Sequence, residues 1–379
     1  MKYMGSKRVL LTNGLGKTLD TAVKKASRFV DMFLGTGEVA SFVAQRHAIK
    51  VYGVDLQAYS VILAEAVLGR KARSPTHLLW KRWHERARRV VAKYRPPQID
   101  EDTRLTHALV DNYRRWCSRQ SNRLPVVRAY GGHYFSPHQA LWIDALRATL
   151  PIARAEKTLA LAALIRAASQ CVAAPGHTAQ PFQPTRTAAP FLKDAWVKDV
   201  KTRVKSTLTS LSSQFAKQIG AARIADANSV AEGLKVGDLV FLDPPYSGVQ
   251  YSRFYHVLET IARGRCGKVT GVGRYPDQDL RPKSRFSLVS ESHRALDELL
   301  TKVSKKGARA ILTFPDHQCS NGMSGDDVRR IAKKHFRVIE KAVASKFSTL
   351  GGRGTGTDKV AKRQARHNAS ELVLLLQSK

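Results

Sequence analysis

The sequence predicts an α/β fold, a Rossmann-like, doubly wound and mostly parallel sheet with an inserted, largely helical region. Two observations support this fold class. Short apolar runs that end in a glycine turn or an acidic residue alternate with helical patterns, and this alternation is how a parallel sheet begins. A long segment without such runs separates the first group of strands from the second, so the sheet is expected to be interrupted in sequence.

The first group of elements lies near the start of the chain. Strands are predicted at Arg28–Leu34 and Lys50–Val54, and each is followed by a helical pattern, Glu38–His47 and Ala58–Leu68. The first helix has its apolar residues on one face, as a helix that packs on a sheet requires.

The second group comes much later in the chain. Two short strands, both expected to be buried, are predicted at Ala222–Ala225 and Leu239–Leu242. The last two strands are predicted at Ala308–Phe314 and Glu371–Leu376, with helices at Ser290–Ser304 and Asp326–Phe336.

The interruption runs from about Gly69 to Val200. It begins with a basic helix, Leu78–Tyr94, whose Trp80 and Trp83 are expected to pack against other residues rather than stack on bases. After a looser stretch up to Tyr134, helices are predicted at His138–Leu150 and Glu156–Ala173, and an ordered but irregular loop at Ala174–Pro190. Two further basic stretches, Gly264–Arg285 and Gly351–His367, are expected to be irregular.

These elements predict a discontinuous catalytic domain at 1–70 and 201–379. The inserted region at 71–200 would comprise a basic target-recognition part at about 71–133 and core-packing helices at about 134–174.

The charge of the chain is unusual. It carries 64 Lys and Arg against 30 Asp and Glu, a net charge of +34. Self-repulsion at this charge costs stability, which favours a polyanionic partner, a nucleic acid above an anionic surface such as a ribosome or membrane. The cluster Arg86, Arg88 and Arg89 is either a solvated helix face or a set of phosphate contacts.

The cysteines and apolar runs restrict the class of protein. The four cysteines lie far apart with no CxxC pair, which argues against a zinc site and a disulfide framework, and no metal is expected. The N-terminal segment lacks the apolar core of a signal peptide, and the longest apolar runs are too short to cross a bilayer. The expectation is a cytoplasmic protein, prokaryotic or phage-encoded and nucleoid-associated.

A glycine turn follows the first strand. Gly35 and Gly37 allow the backbone to approach a ligand closely, and Asp55 follows Gly37 by 18 residues. An acid at the end of the second strand can accept both ribose hydroxyls of an adenosine-containing cofactor. The motif lacks the third glycine of a pyrophosphate site, so by itself it is also compatible with a structural turn.

The tetrapeptide Asp243-Pro244-Pro245-Tyr246 follows the apolar strand directly. The prolines remove two backbone donors, so nearby carbonyl oxygens are available as acceptors. A carboxylate, a carbonyl and an aromatic ring form a receptor for an aromatic amine. When the nitrogen attacks a sulfonium methyl it gains positive charge, and acceptors placed there stabilise the transition state.

With these motifs the chain resembles the Dam-type (D12 class) adenine-specific DNA methyltransferases, over its first 70 residues and most of 130–379. The resemblance implies a class I methyltransferase fold, S-adenosyl-L-methionine as the cofactor, and transfer of methyl to N6 of an adenine flipped out of double-stranded DNA. It implies catalytic roles for Asp243, Pro244, Pro245 and Tyr246. The cofactor-binding residues that it implies are Tyr3, Lys7, Asp31, Phe33, Gly35, Thr36, Gly37, Asp55, Asp226 and Asp243.

Further residues are expected to contact DNA: Arg86, Arg88, Arg89, Tyr251, Arg253, Lys359, Lys362 and Arg363. After the tetrapeptide, Tyr255, Leu258 and Ile261 share helical spacing and are expected to pack in the core, while Tyr251 or Phe254 could wall a base pocket. A lone loop histidine, His177, is expected to be solvated.

The sequence leaves alternatives to this function. A related site can methylate cytosine N4, RNA adenine or a protein glutamine; the Asp favours adenine, the charge disfavours glutamine, and RNA remains the main alternative. A catalytically inactive nucleic-acid-binding relative is a second alternative, and a nuclease is disfavoured because no nuclease motif is evident. A role in restriction-modification or as an orphan methyltransferase, a cognate restriction or defence protein as partner, and a monomer or homodimer all stay open.

Overall fold

The protein is described from a computed structural model, which covers residues 7–100, 102–348 and 366–379; for 342–348 and 366–370 only the backbone is described. The strands are β1 Arg28–Asp31, β2 Lys50–Asp55, β3 Ala221–Ile224, β4 Asp238–Leu242, β5 Val269–Thr270, β6 Tyr275–Pro276, β7 Arg309–Pro315, β8 Arg337–Ser348 and β9 Arg366–Gln377.

The helices alternate with these strands. They are α1 Arg8–Leu10, α2 Gly16–Val23, α3 Glu38–Arg46, α4 Ala58–Leu68, α5 His77–Val91, α6 His107–Ser118, α7 Pro125–Tyr130, α8 Pro137–Ala148, α9 Arg154–Cys171, α10 Ala189–Trp196, α11 Val200–Ser212, α12 Ala227–Val230, α13 Tyr251–Phe254, α14 His256–Arg263, α15 Ser292–Lys305 and α16 Gly325–His335. No helix of the described ranges is both long enough and apolar enough to traverse a lipid bilayer.

The chain divides into two compact units. One, here called the helical unit, comprises Gln57–Ile224 and Ser252–Pro282, and the other, the sheet unit, comprises the described parts of Met4–Leu56, Ala225–Tyr251 and Lys283–Lys379. The predicted functional domains at 1–70 with 201–379 and at 71–200 stay a prediction.

In the sheet unit the strands lie in the order β2-β1-β4-β7-β9-β8. The pairs β1 with β2, β1 with β4 and β4 with β7 are parallel, whereas β9 runs antiparallel to both β7 and β8. The predicted α/β fold with a mostly parallel sheet is confirmed. The central strand β4 is buried at every position, as expected for a parallel strand covered on both faces.

The strand order positions the functional site. Strand β2 lies beside β1 on one side, and β4, which comes later in the chain, lies beside β1 on the other side. The order reverses at this point, and in open α/β sheets ligands bind beside the carboxyl ends of strands at such a switch. Asp31 and Asp55 end β1 and β2, and Asp243 follows β4. We call these strand ends the carboxyl edge.

The core of the sheet unit lies between the sheet and two helices, α15 and α16. Leu242, Leu312 and Leu374 from three strands pack in one buried cluster with Leu299 and Val328 from these helices. The same contacts fix the strand ends in place, because side chains of a close-packed interior have little freedom to shift.

The helical unit is built on α9, an alanine-rich helix that is buried around most of its circumference. Helix α8 begins with a capping box in which Ser136 and Gln139 satisfy each other's backbone amides. Trp83 of α5 is fully buried, and its Nε1 donates to the Leu146 carbonyl at 2.9 Å. The Trp80 ring makes an edge contact with the Trp83 ring. The predicted packing role of these tryptophans is confirmed.

Four sequence-based expectations need correction. The long strand β8 was not predicted, because it alternates little and carries charged residues, as exposed edge strands often do. Strand β3 is mostly exposed rather than buried, since two alanines and Arg223 offer little apolar surface. The stretch before Tyr134, expected to be loose, contains α6 and α7. Strand β9 begins at Arg366, inside the stretch expected to be irregular.

Candidate active site

The glycine turn after β1 is shaped by backbone geometry. Gly35 and Gly37 have φ values of +51° and +71°, which disfavour any residue with a Cβ. The Gly35 amide donates to Oδ2 of Asp55 at 2.9 Å, and the Leu34 amide donates to the Val54 carbonyl at 3.1 Å. The turn is therefore fastened to the end of β2, and the predicted ribose-binding acid also holds the glycine loop.

Asp31 lies at the base of this turn and is 1% exposed. Its Oδ1 accepts a hydrogen bond from the Phe33 amide at 3.2 Å. Burial raises the pKa of Asp31 to about 7, and the negative charges of Asp243 and Asp55 raise it further although the Phe33 amide opposes the shift. The carboxyl edge thus brings Asp55 and Asp243 close enough to Asp31 to disfavour its ionised form.

Other predicted cofactor residues lie in the same unit. Asp226 caps α12, accepting from the amides of Asn228 at 2.9 Å and Ser229 at 3.2 Å. The Phe33 ring makes an edge contact with Phe286 at 5.0 Å between centroids, and Thr36 is buried. Lys7 is described, whereas Tyr3 lies outside the described residues.

Asp243 is held by two side chains that reach the same oxygen. Lys7 Nζ lies 2.8 Å from Oδ1, and the Thr313 hydroxyl donates to Oδ1 at 2.8 Å. Lys7 also forms an ion pair with Glu371 of β9. We call Lys7, Asp243, Thr313 and Glu371 the Lys7 network. These two contacts fix Oδ1 and with it the orientation of the carboxylate.

The charges in the Lys7 network control one another. Burial alone would lower the pKa of Lys7, but the carboxylates of Asp243 and Glu371 outweigh it and raise that pKa well above its usual range. Burial raises the pKa of Asp243, the Lys7 ammonium opposes this, and Glu371 adds to it. Lys7 is therefore a permanent cation between two carboxyl groups, which is the arrangement that a buried charge requires.

The rest of the tetrapeptide is fixed by Asn321, a fully buried residue. Its Nδ2 donates to the carbonyls of Pro245 and Phe286, both at 3.0 Å, and its Oδ1 accepts from the Met323 amide. The Pro245 carbonyl therefore already has a donor, and the turn of the tetrapeptide is fastened to the loop of Asn321.

Tyr246 contributes a ring with a neutral hydroxyl. Its ring makes edge contacts with Tyr251 and Phe314, each at 6.5 Å between centroids. Burial raises the pKa of Tyr246 to about 12, although the Lys7 ammonium opposes the shift. The hydroxyl therefore stays protonated at neutral pH, and the side chain offers an aromatic surface rather than a base.

The predicted nucleic-acid contacts are spread over the molecule. Arg88 and Arg89 extend from α5 of the helical unit and pair with Glu85, while Arg86 donates to the Thr149 carbonyl. Arg253 lies over the Tyr275 ring at 4.4 Å. Tyr251 is half-buried in the sheet unit. Lys359, Lys362 and Arg363 lie outside the described residues.

Two expectations about the helical unit have different outcomes. Tyr255, Leu258 and Ile261 are buried, so their predicted packing role is confirmed. His177 is half-buried rather than solvated, because its ring stacks on Phe254 at 4.8 Å and its Nδ1 accepts from a backbone amide. Burial lowers the pKa of His177.

Thr313, Asn321 and Glu371 were not identified from the sequence as site residues. Thr313 and Glu371 lie in predicted strands, but nothing in a strand pattern shows which side chain reaches a partner 364 residues away. Asn321 lies in a loop, and its role is visible only from the two carbonyl groups to which its side chain donates.

Most of the chain is similar to proteins of one known family. Residues 3–94 and 133–305 match the family described as D12 class N6 adenine-specific DNA methyltransferase. The chain is similar to the Modification methylase StsI of Streptococcus sanguinis, with 24% identity over 338 residues, which is 88% of this chain and 46% of the relative. It is also similar to the Type II methyltransferase M.FokI of Planomicrobium okeanokoites, with 28% identity over 321 residues, 80% of this chain and 43% of the relative. The chain spans less than half the length of these relatives.

Proposed function

Because the chain belongs to the D12 class N6 adenine-specific DNA methyltransferase family, we propose that it transfers a methyl group from S-adenosyl-L-methionine to the N6 amine of adenine in double-stranded DNA. We also propose a role in restriction-modification, with a restriction or defence protein as partner, since the relative StsI bears the name of a modification methylase. The observation that carries the activity is the orientation of Asp243 by Lys7 and Thr313 at the end of β4.

The carboxyl edge suits a cationic adenosine cofactor. Asp55 and Asp243 both disfavour the ionised form of Asp31, so a bound cation would relieve this repulsion. The glycine turn brings backbone close to the same edge, and Asp55 is the candidate for the ribose hydroxyls. When bound, S-adenosyl-L-methionine would supply an electrophilic methyl group on a positively charged sulfur.

The tetrapeptide would hold the adenine. Oδ2 of Asp243 and the carbonyl of Pro244 accept the two protons of the amine, and the Tyr246 ring stacks on the base. As the nitrogen formed its bond to the methyl, the bond between the methyl and sulfur would break, and the nitrogen would gain positive charge that these acceptors stabilise. The methylated amine would then release one proton to solvent, and the cofactor would leave as the neutral thioether. No strong base is needed, because the amine proton becomes acidic only while the new bond forms.

Adenine must leave the base stack to reach this pocket, which costs a few kcal/mol. We propose that phosphate contacts by basic side chains such as Arg86, Arg88 and Arg89 offset this cost. The family match leaves out residues 95–132, which fall in the helical unit and include α6. This unmatched segment is the candidate for reading the target sequence, because recognition of different targets requires a part that differs between relatives.

The experiment that tests the proposal uses a host without DNA methylation. The wild-type chain and Asp243→Ala are expressed there, and the genome is sequenced by a method that detects modified bases. We expect N6-methyladenine at one short sequence with the wild type and at none with the variant.

The main alternative substrate is tested in the same series. Purified protein is incubated with tritiated cofactor and either duplex DNA or RNA of matched sequence. Label in RNA alone, together with an unmodified genome, would contradict the DNA proposal.

A further inference from the structure

Glu371 is joined to the catalytic network although it lies outside the part of the chain that matches the family. The side chains of Lys7, Asp243 and Glu371 are only 7%, 18% and 15% exposed. Within the described residues, Asp243 and Glu371 are the ion-pair partners of Lys7. One buried ammonium therefore serves two carboxylates.

The register of the sheet explains how Glu371 reaches this position. Glu371 lies directly opposite Pro315 in the antiparallel pair of β7 and β9, and Thr313 lies two residues before Pro315. Residues two apart on a strand, and residues directly opposite each other, point to the same face of a sheet. Thr313 and Glu371 thus lie on one face of the sheet. From this face Thr313 donates a hydrogen bond to Asp243, and Glu371 forms an ion pair with Lys7.

We propose that Glu371 is a positioning residue for methyl transfer: it shares Lys7 with Asp243, so that the network keeps a net negative charge where the amine becomes positive. This inference rests on the proposed function. An isolated pair of Lys7 and Asp243 would be neutral, and the ammonium would cancel much of the attraction between Asp243 and the amine. A second carboxylate on the far side of Lys7 restores one negative charge, and at short range and low polarity such a charge acts strongly.

The charged and titratable groups around Asp243 are Lys7, Glu371, Asp31 and Tyr246. Glu371 raises the pKa of Asp243, so its neutralisation should lower that pKa. If Asp243 must be ionised for transfer, the acid limb of the pH profile of kcat then moves to lower pH. A role of Glu371 in fold stability alone would leave that limb unchanged.

The test compares Glu371→Gln, Glu371→Asp and the control Glu340→Gln in the full chain with target duplex and S-adenosyl-L-methionine. Gln keeps the shape and the acceptor oxygen but removes the charge, whereas Asp keeps the charge on a shorter side chain. Glu340 is a β8 glutamate whose ion pair is with Arg329, so its substitution controls for the loss of one carboxylate. We expect Glu371→Gln to lower kcat about tenfold, which corresponds to about 1.4 kcal/mol at the transition state. KM for the cofactor should change little, and the acid limb should move to lower pH.

We expect kcat of Glu371→Asp to stay within about threefold of the wild type, because its charge is retained. An unchanged kcat and pH profile in Glu371→Gln would overturn the proposal. A tenfold lower kcat in Glu371→Asp, with the pH profile of the wild type, would also overturn the proposal, whether or not the Gln variant folds.

A direct titration separates this inference from the proposed function. The Asp243 carboxyl carbon is followed by NMR in protein labelled with ¹³C-aspartate, and Asp243→Asn assigns its signal. A pKa of Asp243 that is the same in wild type and Glu371→Gln would overturn the coupling. If Glu371→Gln does lower the pKa of Asp243, but the wild-type protein methylates no adenine, the proposed function is overturned instead.

Discussion

The carboxyl edge of the sheet unit and helix α5 of the helical unit carry charge in opposite ways. At the carboxyl edge acidic groups predominate, and the Lys7 side chain is 7% exposed. On α5 basic groups predominate, and the side chains of Arg88 and Arg89 are 62% and 75% exposed. The net charge of +34 therefore gives no indication of the charge at the candidate active site.

The difference shows where single residues should matter. Removing one partner of a buried ion pair leaves an uncompensated charge and costs about 3–5 kcal/mol, whereas exposed pairs contribute about 0–1 kcal/mol. We therefore expect large effects from a few changes at the carboxyl edge and small, additive effects from many changes on α5.

The largest effect is expected from Lys7→Met. Without the ammonium, Asp243 and Glu371 are adjacent like charges, so one of them takes up a proton or the site rearranges. We expect kcat to fall by about 10²–10³-fold and the melting temperature to drop. The double variant Lys7→Met/Glu371→Gln removes the repulsion and should recover much of the melting temperature. A double variant that melts no higher than Lys7→Met would contradict the proposed repulsion.

Tyr246 tests whether an aromatic surface, rather than a hydroxyl, is needed at this edge. Burial raises the pKa of Tyr246 to about 12, so its hydroxyl is not a base at neutral pH. Tyr246→Ala should lower kcat/KM for DNA about 10- to 100-fold, since stacking of a base on an aromatic ring contributes about 1–3 kcal/mol. Steady-state kinetics check this, with Tyr246→Phe as the control that keeps the ring. Equal losses in both variants would show that the hydroxyl matters.

The repulsion at the carboxyl edge predicts a pH dependence of cofactor binding. Asp31 has a pKa of about 7 in the free protein, because of its burial and the nearby carboxylates. A bound sulfonium favours ionised Asp31, so affinity should rise with pH, by about fivefold between roughly pH 6 and pH 8. Isothermal titration measures this. S-adenosylhomocysteine lacks the positive charge and should bind with a weaker pH dependence; equal dependence for both ligands would argue against the charge effect.

The smallest effect is expected on α5. If Arg88 contacts a phosphate, Arg88→Gln should weaken DNA binding about two- to threefold. The slope of log affinity against log salt concentration should then decrease by about one. Fluorescence anisotropy across a salt series provides the measurement. Glu85→Gln is the matched change, because it releases Arg88 and Arg89 from their common partner and should tighten binding. Binding that neither variant alters would exclude this helix from the DNA interface.

The parts of the fold that were predictable are those with strong local signals. Helix α4 has the predicted bounds, and the buried strand β4 and the glycine turn were recognised from apolar runs and punctuating residues. Strand β8 was missed because its charged residues hide the period of a strand, and α6 was missed because its helical pattern is short and basic.

The candidate site was predictable only in part. The tetrapeptide and the acids at strand ends lie next to recognisable elements, so Asp31, Asp55 and Asp243 could be named. Their mutual repulsion depends on distances across the sheet, which no local pattern contains. Glu371 is the clearest case, because its role exists only through Lys7 at the other end of the chain.

Methyl transfer, as proposed, depends most on the Asp243 carboxylate, which accepts a hydrogen bond from the amine of adenine. Rapid-quench measurement of the chemical step, with enzyme in excess over target duplex, tests this in wild type and Asp243→Asn. Asn keeps the shape but lacks the negative charge. We expect the chemical step of Asp243→Asn to be slower by about 10²–10³-fold, with affinity for S-adenosyl-L-methionine reduced less than about tenfold. A chemical step within about threefold of the wild type would contradict it.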